Sequence, residues 1–194
     1  MKKLLYTFLA ISIIFSACEE EVVAPNTNNN NNNSALTIGD SHQGGIIFYL
    51  DANGGGLIAA PTDQSSDAEW GCYLTLISGA DGTAIGTGAQ NTIDIELGCT
   101  TTGTAADICA NLTLGIYSDW FLPSKDELNE MYLNIGQGNA LGLGNIGGFA
   151  NGVYWSSTDI DTSFAWMQNF EYGNQSDERK DILNDYGVRA VRVF

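Results

Sequence analysis

Ser118-Asp-Trp-Phe-Leu-Pro-Ser-Lys-Asp-Glu-Leu-Asn-Glu-Met-Tyr132 decides how the rest of the chain is read, because strand end, turn, helix start and helix face all fall inside it. Ser124 is followed three residues later by Glu127, a capping box in which the hydroxyl accepts an amide of the first turn and the carboxylate reaches back to the amide of the cap. A helix therefore starts after Pro123. Leu128, Met131, Tyr132 and Ile135 recur at i, i+3, i+4 and i+7 as one apolar stripe, and Gly136 is placed to end the helix in a left-handed conformation. Asp126 and Glu127 occupy the first turn, where the helix dipole favours negative charge by roughly 0.3–1 kcal/mol each.

Working outward, residues 45–51 and 57–60 read as two apolar strands around the glycine-rich turn 52–56. A polar loop, 63–69, closes on Trp70-Gly71-Cys72, and 78–88 shows no periodicity. Asn91 or Thr92 is placed to cap a short helix carrying Ile93, Ile95 and Leu97, and a second helical segment runs over 104–112 with Ala105, Cys109 and Leu112 on one stripe. Beyond the capped helix, 137–152 is glycine-rich and reads as irregular loop. Residues 153–158 and 164–170 alternate like strands of a meander, 171–185 is polar and reads as loop, and 186–194 is a final strand. The expectation is an α+β fold of small antiparallel sheets, two main helices and long loops, with the N- and C-terminal strands paired in one sheet.

Met1-Lys-Lys and the apolar run 4–17 have the form of a secretory signal, too short to span a bilayer. Phe15-Ser16-Ala17-Cys18 resembles the lipobox of bacterial lipoproteins, with Phe15 where leucine is usual; the resemblance implies that Cys18 is acylated and becomes the first mature residue. At about 0.8 kcal/mol per buried methylene, several acyl chains make such an anchor effectively permanent. Glu19-Glu-Glu21 is similar to the acidic export signal that places some Bacteroidetes lipoproteins on the outer face of the outer membrane. The asparagine-rich tract 26–33 has nothing to bury and reads as a solvated tether. The expected division is a signal peptide over 1–17, a lipidated tether over 18–38 and one domain over 39–194.

The formal charge is −16, and losing Lys2 and Lys3 takes it to −18. No lysine or arginine lies between Cys18 and Lys125. That distribution excludes nucleic acid, which binds through cations that displace condensed counterions, and disfavours anionic membranes and acidic polysaccharides. Neutral glycans, proteins, cationic ligands and divalent cations remain, with the membrane met through the lipid anchor alone.

Asp119-Trp-Phe-Leu-Pro-Ser-Lys-Asp-Glu-Leu128, Tyr154-Trp-Ser-Ser157, Ala165-Trp166 and Val188-Arg-Ala-Val-Arg192 resemble the Lcl C-terminal-like domain family. The opening Gln43-Gly-Gly-Ile-Ile-Phe-Tyr-Leu-Asp51 is similar to the version common in Bacteroidetes lipoproteins. The resemblance implies a C-type-lectin-like fold, related to formylglycine-generating, sulfatase-modifying domains and to the variable proteins of diversity-generating retroelements. It implies no single function.

Cys72, Cys99 and Cys109 stand in an expected oxidising compartment, so one disulfide and one thiol are expected. Cys109 lies on an apolar stripe, which favours pairing of Cys72 with Cys99; Cys99 with Cys109 is the rival. Gly142-Leu-Gly-Asn-Ile-Gly147 has the letters of a dinucleotide fingerprint without the strand before it or the helix after it. Asp51-Ala-Asn53 and Asp159-Ile-Asp161-Thr-Ser163 echo calcium loops, but Thr62 stands where the closing glutamate belongs in the first and Phe164 where the turn glycine belongs in the second. No cofactor is expected, Ca2+ being the one ion the acidic surface leaves open. His42 is the single histidine and leads into the hairpin, so it is no base for a nucleophile. No cysteine follows Cys109, which removes the late cysteine pair of the formylglycine-generating relatives. Trp120, Trp155 and Trp166 read as core, and Trp70 does so less firmly beside its polar loop.

The stretch 159–174 mixes Asp, Asn, Gln, Ser and aromatics as recognition surfaces do, which makes Asp159, Asp161, Phe164, Gln168, Asn169, Glu171, Tyr172 and Asn174 the candidate ligand-binding residues. The leading expectation is a monomeric, surface-exposed, non-enzymatic binder of a neutral glycan or a protein. The alternatives are a structural protein of the envelope and a glycan hydrolase using Asp126 and Glu130.

Overall fold

The computed structural model describes residues 35–182 and 185–194. The expected signal peptide, Cys18 and the asparagine tract lie outside the described residues. Within them the strands are β1 (Ser41–His42), β2 (Gly45–Leu50), β3 (Gly56–Ala59), β4 (Val153–Asp159), β5 (Phe164–Asn169), β6 (Gln175–Arg179), β7 (Tyr186–Gly187) and β8 (Val191–Val193). The helices are α1 (Gly88–Gly98), α2 (Ala105–Ala110) and α3 (Lys125–Ile135). One four-stranded sheet runs β1-β2-β3-β8, the other β6-β5-β4-β7, and every pairing is antiparallel except β4 with β7. The fold is α+β, and its last strand pairs with the second arm of the opening hairpin.

Both faces of β2 and β3 are covered, which is why these strands are continuously apolar rather than alternating. Ile47 and Ile58 enter one core with Trp70, Leu122 and Trp155; Phe48 and Leu57 enter another with Leu128, Met131 and Phe170. The register shifts between Ile47 and Tyr49, leaving Phe48 as the extra residue of a bulge, and its carbonyl accepts the Asn134 amide at 3.0 Å. That bond ties α3 to the first sheet.

The capping box of α3 is present as read: Ser124 Oγ accepts the Glu127 amide at 3.3 Å and Glu127 Oε2 accepts the Ser124 amide at 2.7 Å. The helix does not end as expected, because Gly136 has φ −101° and is extended rather than left-handed. Glu127 also does more than cap. It is fully buried, and its Oε1 accepts the Gly86 amide at 2.7 Å, so one carboxylate fixes the start of α3 and the loop that leads into α1. Gly88 sits so close that a Cβ there would run into that carboxylate. Replacing Glu127 by alanine leaves the buried Ser124 amide and the partly solvated Gly86 amide without acceptors and is expected to remove roughly 2 kcal/mol, against about 1 kcal/mol for Ser124→Ala, both read by urea denaturation. Burial, opposed by the Ser124, Gly86 and Gly88 amides, raises the Glu127 carboxyl above its ordinary range. The folded state therefore holds the proton more tightly than the unfolded chain. Glu127 favours folding most below the unfolded-state pKa, and the contribution is lost as pH rises through the folded-state value. Glu127→Gln should flatten that slope.

Several expected elements move. α1 starts a turn before Asn91 and Thr92, with Thr87 as its cap, because those two side chains serve tertiary bonds instead. Asn91 pairs with the Gly82 backbone at 2.7 and 3.2 Å, and Thr92 Oγ1 accepts the Leu122 amide at 3.0 Å. α2 is capped by Thr104 and ends at Ala110, short of Leu112. Residues 171–185, read as loop, contain β6, an edge strand. The final strand is two strands: β7 joins the second sheet and β8 the first. Between them the backbone is taken by the loop after β3, with the Gln64 amide on Val188 O at 2.8 Å and the Val188 amide on Ser65 O at 2.9 Å.

Cys72 and Cys99 form the disulfide, and Cys109 is a free, fully buried thiol. Trp70, Trp120 and Trp155 are buried, and their indole N–H groups donate to Ser156 O, Tyr117 O and Ala68 O. Trp166 departs from the core expectation: it lies half-buried at the surface, with Lys125 Nζ 4.1 Å above its ring.

Candidate functional site

The second sheet divides the expected recognition segment. On β5, Ala165 and Met167 face the core, so the period of two turns Phe164, Trp166 and Gln168 to the opposite face. There they pair across to Arg179, Asp177 and Gln175 of β6. The α3 start borders this face, since Gln168 donates to Asn129 at 3.0 Å and Gln175 donates to Lys125 O at 2.7 Å. Phe164, Trp166 and Gln175 are half-buried and Asp177 and Arg179 exposed, so an indole with a cation above it is flanked by acid, amide and guanidinium groups.

Asp159 is not part of any exposed site. Its side chain is fully buried, paired with the equally buried Lys180 at 2.7 Å, and accepts the Ile77 and Ile160 amides at 2.8 Å each. Burial raises its carboxyl and lowers the Lys180 ammonium, each against the pull of its partner. Gln168 is also fully buried, its amide committed to Asn129. Neither has surface to give to a ligand. Asp161 is exposed and spends Oδ1 on the Ser163 and Phe164 amides, which close the β4–β5 turn. Asn169 closes the β5–β6 turn, accepting the Glu171 and Tyr172 amides at 2.8 and 3.0 Å. Glu171, Tyr172 and Asn174 are exposed there, at the far end of β5 from Asp161. Of the eight expected residues, Phe164 alone presents a partly exposed side chain on the Trp166 face.

Trp166, Gln175, Asp177, Arg179 and Lys125 were missed. The signal was present as Phe164-x-Trp166-x-Gln168 against Gln175-x-Asp177-x-Arg179, two matched alternations. It is invisible once the second is taken for loop.

The arginines of the final segment are structural. Arg189 is buried, paired with Asp63 at 2.6 Å, and donates to Ala60 O and Gly147 O. Arg192 pairs with Asp119, donates to Gln43 at 2.6 Å and stacks on Tyr117. The two ends of the chain's most distinctive motifs thus hold each other. The model of the Lcl C-terminal domain matches residues 61–192, well over half of the chain. The chain belongs to the Lcl C-terminal domain family. The Lcl C-terminal domain match begins just after β3, so the hairpin of β1 to β3 precedes it, although β8 completes the same sheet. No curated protein matches the chain.

Hollows also lie elsewhere on this Lcl C-terminal domain. A cleft of about 300 Å³ has Asp63, Asn151, Tyr154 and Asp185 among its lining residues. Asp63 is held there by Arg189 and by the Tyr154 hydroxyl at 2.8 Å, and burial, then the Asp63 charge, push that phenol up. A groove of about 450 Å³ beside α1 is largely apolar. Asp126 and Glu130 line neither hollow; both are half-exposed on α3, and Glu130 accepts the Asn134 amide at 2.7 Å. Among the described residues no cluster of three or more His, Cys, Asp or Glu side chains is set to hold a metal ion. The His42 ring lies edge-on to Phe194, centroids 4.7 Å apart.

Proposed function

We propose that this chain is an outer-membrane lipoprotein, anchored through Cys18 and facing the cell exterior, whose domain has a C-type-lectin-like fold and binds a ligand without transforming it. The observation that carries the binding assignment is the Trp166 face, a half-buried surface indole framed by Phe164, Gln175, Asp177 and Lys125. Aromatic planes bordered by amides and acids suit the apolar faces and hydroxyls of a neutral sugar, or a protein surface. The anchor reading rests on Phe15-Ser16-Ala17-Cys18, and among the described residues no helix is long and apolar enough to cross a membrane.

The test is binding of the purified, detergent-solubilised full-length protein to glycan and protein arrays, with and without calcium. Trp166→Ala is expected to weaken a genuine ligand by at least about tenfold, as truncation of a central aromatic anchor does. Binding that survives joint replacement of Phe164, Trp166 and Asp177 sinks the site. Metabolic labelling with a fatty acid that Cys18→Ala fails to abolish sinks the anchor.

A further inference from the structure

Helix α1 is apolar on two sides. Ile95, with Asn91 and Thr92, is buried against the domain. On the outer side Ala89, Ile93 and Leu97 recur at i, i+4 and i+8, with Ile93 51% and Leu97 79% exposed. Trp120 and Phe121 line the groove beside this stripe, with Glu96 and Asp119 among its polar groups. Scattered exposed leucines need no explanation, but an apolar stripe in helical register alongside an apolar groove is a surface prepared for another surface.

The charges around it decide what fits. Of the five lysines and arginines among the described residues, Arg179, Lys180, Arg189 and Arg192 are in ion pairs and Lys125 lies over Trp166. Arg192, the cation next to the groove, is already held by Asp119. Among the described residues no lysine or arginine is paired with Glu96, whose carboxyl is raised by desolvation and then by the Asp107 charge. A second copy of the chain would bring the same carboxylates to the contact, and an anionic lipid surface would be repelled.

We propose that the α1 groove docks a partner protein through a cationic amphipathic segment, whose aliphatic side chains lie on Ile93 and Leu97 and whose lysine or arginine meets Glu96. Helix-in-groove recognition uses this spacing of anchors, and the acidic rim supplies orientation and selectivity. The Trp166 face is a different surface, so this inference stands or falls separately from the glycan reading.

The probes are three synthetic amphipathic peptides: one with leucines at helical spacing and lysines at the margins, one with the lysines replaced by glutamates, and one with the leucines replaced by serines. Each is titrated against full-length protein in detergent, following the Trp120 indole resonance by NMR. The leucine–lysine peptide is expected to bind and shift that resonance, and the other two to bind at least about tenfold more weakly. Leu97→Asp and Ile93→Asp should each abolish the shift while far-UV circular dichroism stays unchanged, and Glu96→Gln should weaken binding and reduce its salt dependence. The proposal is overturned if the three peptides bind alike or the Trp120 resonance stays still. It is equally overturned if binding survives in Leu97→Asp, or if sedimentation shows a dimer that Leu97→Asp dissolves, which would make the occupant a second copy.

Discussion

Asp159→Ala is expected to cost the domain about 3–5 kcal/mol, because it strands the buried Lys180 ammonium with no counter-charge. Lys180 is held by Asp159 at 2.7 Å, by Thr75 O at 2.9 Å and by the Trp70 ring 4.5 Å away, none of which water can replace at a fully buried position. The pair joins β4 to the end of β6 and, through the Ile77 amide on Asp159, to the loop before α1. Lys180→Met should be milder, since the Ile77 and Ile160 amides still solvate the carboxylate. Asp159→Leu combined with Lys180→Met should recover only part of the loss: it removes the buried charge, but it leaves the Ile77 and Ile160 amides without an acceptor. Urea denaturation of wild type, Asp159→Leu, Lys180→Met and the double mutant gives the coupling directly. A single mutant within about 1 kcal/mol of wild type would show that water reaches the pair. The experiment also separates scaffold from site, since an exposed ligand-binding aspartate would lose affinity with little change in stability.

Removing the Cys72–Cys99 bridge is the second large effect. Its two cysteines are 27 residues apart in sequence, and closing a loop of that length restricts the unfolded chain by roughly 3.5 kcal/mol. The loop contains the whole of α1, so reduction, or Cys72→Ala with Cys99→Ala, should speed hydrogen exchange in α1 before it does in α3. Cys109 serves as the internal control: it is a buried free thiol, and Cys109→Ala should leave the mass shift on reduction and alkylation at two thiols gained. If reduction changes neither the denaturation midpoint nor α1 exchange, the bridge is dispensable and α1 is held by packing alone.

What could be read from sequence depended on how local its cause was. The start of α3 was legible because Ser124 and Glu127 satisfy each other within one turn. The pairing of Cys72 with Cys99 followed from the position of Cys109 on an apolar stripe. α1 was misplaced because Asn91 and Thr92, good capping residues, answer partners nine and thirty residues away. β6 was missed for the same kind of reason. Gln-Ser-Asp-Glu-Arg has no strand-forming residue and is extended because it edges a sheet, where charge is tolerated and even protective. Losing β6 hid the cross-strand pairs of the Trp166 face and also the partner of Asp159, since Lys180 follows directly after it. The candidate site therefore moved from a continuous stretch of chain to one face of two strands, with Phe164 common to both readings.

The final nine residues serve two sheets, β7 lying beside β4 and β8 beside β3, with Phe121 bridged to Val191 on the way. Neither sheet is complete until residues 186–194 have paired, so the fold cannot close before this segment is in place. Until that segment docks, β3 and β4 both present open edges, so its release would expose two pairing templates at once.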